Sequence, residues 1–173
     1  MPNTRPLIPA RVSGRRWLAM ACAAVLGLVA CDRTSQLEEG VSTEVQVRQE
    51  FGDPTTVTVQ PDGTRVFDYP RQPEGFTNYV ITFGADGKVS SIRQLLTPDN
   101  FAKVTPGLTQ QEVRNILGRE AKRQRYDLKK EEVWSWRFKQ DGLNARMFNV
   151  TFDAGGKVTA TEVGEDPRES QPH

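Results

Sequence analysis

A ten-residue stretch of this chain occurs twice. Ile81-Thr82-Phe83-Gly84-Ala85-Asp86-Gly87-Lys88-Val89-Ser90 returns as Val150-Thr151-Phe152-Asp153-Ala154-Gly155-Gly156-Lys157-Val158-Thr159, with six identical positions and similar residues paired at both ends. Upstream, in the same order, Val66-Phe67-Asp68-Tyr69 parallels Val133-Trp134-Ser135-Trp136. Further upstream, Thr43 through Phe51-Gly52 parallels Thr109 through Leu117-Gly118. The matches stand 69, 67 and 66 residues apart. Ordered matches at nearly constant spacing mark a tandem duplication, which restricts the chain to architectures built from one unit used twice. The first repeat is expected over 36–97 and the second over 98–164. A polar, proline-containing tail over 165–173 is expected to be disordered.

Each unit opens with a predicted helix. Thr109-Gln110-Gln111-Glu112 is a capping-box pattern, in which the threonine accepts from a first-turn amide and the glutamate reaches back. Val113, Ile116 and Leu117 then fall on one face, and Gly118 supplies the stop. In the first unit Thr43 and Gln46 take the capping places, and Glu50 stands where Ile116 stands, so that flank is expected to be less buried. Pro98-Asp99-Asn100-Phe101 predicts an extra helical turn. Strands are expected at 56–59, 66–69, 78–83 and 88–94, then at 132–138, 146–152 and 157–163, with Ala85-Asp86-Gly87 and Gly155-Gly156 as tight turns. Trp134, Trp136 and Phe138 share one strand face; Phe148, Val150 and Phe152 share another. Such aromatic rows form either a ligand platform or the core beneath a helix, and the helix needs an apolar sheet face, so core is the reading. The fold class is therefore α+β: two tandem repeats, each a short helix or helix pair on a three- to four-stranded antiparallel sheet.

The amino terminus carries a separate message. Arg11, Arg15 and Arg16 precede an apolar run of thirteen residues, Trp17 to Val29, which ends at Leu28-Val29-Ala30-Cys31. Thirteen residues are too few to span a bilayer, which takes about 20, but suit a signal peptide. The ending resembles a bacterial lipoprotein processing site. That resemblance implies a signal peptide over 1–30, a diacylglycerol on Cys31, acylation of the new terminus, and a linker over 31–39. Cys22 is the rival acceptor, but leaves an apolar run of only five residues. An ordinary secretory signal with a chance cysteine is the alternative. Two or three acyl chains hold a protein durably at about 0.8 kcal/mol per buried CH₂.

Removing 1–30 takes away four arginines and no acid, leaving 19 basic against 22 acidic residues, which gives no basis for nucleic-acid binding. It also leaves no free thiol and one histidine, His173. A serine or cysteine nucleophile with a histidine base is excluded within the repeats, as is Cys/His metal ligation, and no cofactor is expected. Glu131 and Glu132 are adjacent and read as solvated. Gly84 to Gly87 and Gly155-Gly156 lack the lysine and flanking elements of a phosphate loop. Six cations between 119 and 130 (Arg119, Lys122, Arg123, Arg125, Lys129 and Lys130) form the candidate surface. They read either as a contact for anionic headgroups or as a solvated loop or charge-protected edge strand.

Gly107-Leu108-Thr109-Gln110-Gln111-Glu112-Val113 through Leu117-Gly118, then Trp134-Ser135-Trp136 and Val150-Thr151-Phe152-Asp153, resemble the SmpA/OmlA-type small outer-membrane lipoproteins. That family includes the small lipoprotein subunit of the β-barrel assembly machinery and is similar in fold to the β-lactamase inhibitor protein. The resemblance implies a non-enzymatic, outer-membrane-anchored, periplasm-facing module that binds envelope proteins such as barrel-assembly components, in assembly or envelope integrity. An inhibitor or sensor of a periplasmic enzyme, gripping it through the concave face of two sheets, is the second reading. An envelope enzyme using carboxylates alone is the third. Two features depart from the pattern: the barrel-assembly subunit carries one such unit where this chain has two, and Arg119-Glu120 stands where a proline is expected soon after the glycine, which the first unit keeps as Pro54. Separately, Asp32 beside the acylated cysteine resembles an inner-membrane retention signal.

Overall fold

The threonine caps and period-two strands of the sequence assemble, in the computed structural model, into two helix-on-sheet layers. The structure describes residues 36–169, all within one compact unit, Asp32–His173. The signal peptide and the lipidation at Cys31 lie outside the described residues. The order is α1 (Glu44–Phe51), β1 (Thr56–Val59), β2 (Arg65–Pro70), β3 (Asn78–Phe83), β4 (Val89–Gln94), α2 (Pro98–Ala102), α3 (Gln110–Leu117), β5 (Lys122–Tyr126), β6 (Glu131–Gln140), β7 (Asn144–Phe152) and β8 (Val158–Glu165). Two antiparallel four-stranded sheets result, β1-β2-β3-β4 and β5-β6-β7-β8. The architecture is α+β with the expected tandem arrangement of two sheets.

The duplication reaches individual bonds. Thr43 bridges Lys88 as Thr109 bridges Lys157. The register slips at Thr82/Phe83 in the first sheet and at Thr151/Phe152 in the second. Gly40 N–H donates to Val89 O at 2.7 Å, and Gly107 N–H to Val158 O at 2.8 Å. Arg48 lies 4.9 Å from the Phe67 ring centroid, and Arg114 lies 4.7 Å from that of Trp134.

In α3 both halves of the capping box form: Thr109 Oγ1 accepts Glu112 N–H at 3.2 Å, and Glu112 Oε2 accepts Thr109 N–H at 2.8 Å. In α1 the box is looser: Thr43 N–H donates to Gln46 Oε1 at 2.8 Å, and the Thr43 hydroxyl also donates to that oxygen at 3.2 Å. Val47 and Phe51 press α1 onto Phe67, Tyr69, Ile81, Phe83 and Val89. Val113 and Leu117 press α3 onto Trp134, Trp136, Val150 and Phe152, and Phe101 of α2 stacks on Phe148 at 4.3 Å. The aromatic rows are thus core, where a fully buried side chain contributes roughly 1.5–3 kcal/mol.

One open alternative is decided and two expectations change. Lys122–Tyr126 is a fourth strand of the second sheet, pairing with β6 from Lys122↔Ser135 to Tyr126↔Glu131. Its charged residues hide the alternation that marks a strand buried on one face. The linker expected over 31–39 is shorter, because Leu37 packs on the first core and Glu39 Oε1 accepts Ile92 N–H at 2.8 Å. The tail expected to be disordered from 165 begins inside the fold. Glu165 closes β8, and Asp166, 2% exposed, meets Arg137 Nε at 2.5 Å.

Candidate functional site

Two short side chains join the repeats, and both answer orphaned backbone. The last carbonyls of a helix have no partner within it. At the end of α3, Leu117 O and Arg119 O are met by Asn78 Nδ2 at 2.7 and 2.8 Å, from the outer face of β3. The pairing of β5 with β6 begins at Ser135, so the β6 edge beyond it lacks a strand partner. There Gln72 stands in for one: its Nε2 donates to Arg137 O at 2.8 Å and its Oε1 accepts Arg137 N–H at 3.1 Å. The Arg137 guanidinium donates to Pro73 O and Glu74 O at 3.1 Å each and pairs with Asp166. Asn78, Gln72 and Arg137 are all buried.

This junction holds the outer face of the first sheet beside α3 and leaves a groove of about 500 Å³ between them. One wall is a single row across the sheet: Thr56↔Asp68, Asp68↔Val80 and Val80↔Arg93 are register partners. The other wall is Gln111, Arg114, Asn115 and Arg119; Tyr79, Leu95 and Pro70 supply apolar surface. Asp68 is half-buried and, among the described residues, its carboxylate has no hydrogen-bond or ion-pair partner. Arg93 stands about 10 Å away, two strand spacings, with buried Val80 between. Arg114 is turned away, onto Glu120 at 3.2 Å and onto the Trp134 ring. Burial pushes the Asp68 carboxyl up from its ordinary value. A half-buried carboxylate in an open groove has the charge and the access to receive a cationic side chain.

The six cations between 119 and 130 do not form one patch. Arg119 joins the groove. Arg123 lies over Trp134 at 4.5 Å and pairs with Glu120. Burial raises the Glu120 carboxyl, but backbone and guanidinium hydrogen bonds from Arg123 and Arg114 outweigh it and hold Glu120 below the usual range. Arg125 pairs with Asp127 at 3.3 Å, while Lys129 and Lys130 sit in the β5–β6 turn. Strand alternation divides the rest between two faces. Glu132, expected to be solvated, is half-buried; Trp134 Nε1 donates to it at 2.9 Å and Gln110 Nε2 at 3.0 Å. It anchors the start of α3 to the sheet, and the partner that does so, Gln110, comes from an element remote in sequence. Asp68 and Asn78 were not singled out as site residues; their one signal is polarity within strands of apolar alternation. Among the described residues, no helix is long and apolar enough to cross a membrane, and no three His, Cys, Asp or Glu gather as a metal site.

No protein-family model and no curated protein matches this chain. Similar solved structures include an osmotically inducible lipoprotein, OsmE, 28% identical over 44% of this chain and 79% of that one, with a TM-score of 0.36. A DUF4309 family protein from Bacillus subtilis is 14% identical over 78% of this chain and 85% of its own, with a TM-score of 0.31. A β-lactamase inhibitor-like protein from Streptococcus mutans is 12% identical over 70% and 82%, with a TM-score of 0.28.

Proposed function

We propose that this chain is a non-enzymatic, lipid-anchored module of the bacterial cell envelope, tethered through Cys31 to the outer membrane and facing the periplasm. Its task is to bind envelope proteins through the groove between its repeats. The observation that carries this reading is the groove itself: an open cleft with a half-buried, unpaired Asp68, held by a junction of buried hydrogen bonds from Asn78, Gln72 and Arg137. Barrel-assembly components are the partners toward which the family resemblance points.

The short tether supports the same reading. From Cys31 to Leu37, which already packs on the first core, the chain extends at most roughly 20–22 Å. A module so held works against its own membrane, where tethering replaces weak encounter by high effective concentration. Asp32 is the residue that favours the inner membrane, and separation of the two membranes by density decides between them.

Two measurements test the proposal. Intact-mass analysis of the purified protein is expected to show acyl chains at Cys31, and Cys31→Ser is expected to release it from the membrane fraction. A photo-reactive amino acid at Asn115, on the groove wall, is expected to give protein adducts in living cells, whereas one at Glu162 on β8 gives none. Absence of adducts from position 115 would remove the groove as a protein-binding site.

A further inference from the structure

The four outer sheet edges are not alike. The edge of β4 is covered: Val89 N–H donates to Ser42 O at 2.8 Å, and Glu39 holds Ile92 N–H. The start of β8 is bonded to Gly107 and Leu108, and its remainder carries Glu162 and Glu165. The edge of β5 carries Lys122, Arg123 and Arg125. Charge and cover of these kinds are how edges are kept from pairing. β1, Thr-Val-Thr-Val, has neither.

Its free hydrogen-bonding groups can be assigned. Gln60 N–H donates to Thr64 O at 2.8 Å and Thr55 N–H to Asp68 O at 2.9 Å, while Thr58 pairs with Val66. Antiparallel alternation then turns the N–H and C=O of Val57 and Val59 outward. Their side chains are 45% and 66% exposed. One strand inward, on the opposite face, stands the unpaired Asp68, beside Thr56.

We propose that β1 accepts an extended segment of a partner polypeptide as an added strand, with apolar side chains beside Val57 and Val59 and a lysine or arginine on its other face reaching Asp68. The inference rests on the protein-binding function above and names the partner's chemistry: a segment alternating apolar and cationic residues. Main-chain bonds to an open edge supply affinity, and alternate side chains supply specificity. A residue opposite Thr56 lies about 10 Å from the Asp68 backbone, as Arg93 does on the other side. Buried Val80 stands between there, whereas here only exposed Thr56 does, and over it a long cationic side chain and the aspartate close the gap together. A second copy offering its own β1 brings only threonine to that face and leaves Asp68 unpaired.

The test uses the full chain in detergent micelles and three labelled hexapeptides: alternating Val-Lys, alternating Val-Gln, and a Val/Lys peptide of the same composition with the alternation scrambled. Alternating Val-Lys is expected to bind best and to slow hydrogen exchange at the Val57 and Val59 amides. Asp68→Asn is expected to weaken that peptide about tenfold, the size of one charge-assisted hydrogen bond, and to leave the Val-Gln peptide unaffected. Val57→Pro removes an outward N–H, a substitution that an edge strand tolerates, and is expected to abolish binding while circular dichroism shows the fold retained. Equal binding of the scrambled peptide, no effect of Asp68→Asn, or protection away from β1 would overturn the inference. So would self-association through β1, as a dimer or as growing oligomers in which β5 of another copy is the added strand. Protein adducts from position 115 with no strand-selective peptide binding would leave the binding module standing and remove this inference alone.

Discussion

Asp68 and Asp166 are two carboxylates in opposite situations. Asp166 is 2% exposed and ion-paired with Arg137, whose guanidinium also serves two carbonyls of the 72–76 loop. Removing one partner of a buried pair strands the other, so Asp166→Ala is expected to cost about 3–5 kcal/mol in urea unfolding. Asp68 has burial without a partner, which raises its carboxyl above the unfolded value of about 3.9. The folded state therefore holds this proton more tightly than the unfolded state. The contribution of Asp68 to stability is greatest below that value and declines as pH rises through the unfolded and then the folded pKa. Asp68→Asn is accordingly expected to raise the Tm at pH 7, with the gain shrinking as the pH falls through the raised folded pKa and lost below about 4. A lower Tm at neutral pH would show that the carboxylate is compensated after all.

The two capped helices end alike and differ in what surrounds the stop. Gly52 and Gly118 have φ of +78° and +71° with ψ near −160°, a region that side chains scarcely enter, so alanine is expected to cost about 1–3 kcal/mol at either. A Cβ at 52 meets nothing within 4 Å, whereas one at 118 lies 3.1 Å from Asn78 Nδ2 and 3.2 Å from Leu95 Cδ1. Gly118→Ala must therefore be the more damaging in thermal unfolding, because it also displaces the amide that bonds the end of α3. At the other end of that helix, Thr109→Ala is expected to cost about 1 kcal/mol. The same substitution at Thr43 is expected to cost less, since its hydroxyl is engaged with the Gln46 side chain at 3.2 Å and caps the helix amides less directly.

Across the whole molecule, Asn78, Gln72 and Arg137 bind one repeat to the other through buried hydrogen bonds. The repeats should then unfold together. Trp134 and Trp136 both lie in the second, so in the chain that begins at Cys31, without Trp17, fluorescence reports that repeat alone, and far-ultraviolet circular dichroism reports both. The two transitions are expected to coincide. Asn78→Leu takes the amide donor away from Leu117 O and Arg119 O at the foot of α3, at about 1–3 kcal/mol, and is expected to separate the two transitions. Separate transitions in the unsubstituted protein would mean that the groove lies between independently mobile bodies, with no fixed wall opposite Asp68.

How much of this was legible in the sequence follows the range of each interaction. Caps, glycine stops, hairpin turns and the Trp134–Phe152 core face are local or periodic, and the strands fall within two residues of their expected spans. Lys122–Tyr126 stayed open between a loop and an edge strand because an exposed edge strand has no apolar alternation to show. Glu132, Asp166, Gln72 and Asn78 owe their burial to partners remote in sequence, which no local pattern encodes. Sequence alone determined that one unit is used twice, because repetition is written residue by residue. Tertiary structure alone decided how the two copies face each other, and so where the groove opens and which carboxylate is left unpaired, because relative placement depends on a few long-range bonds that have no period.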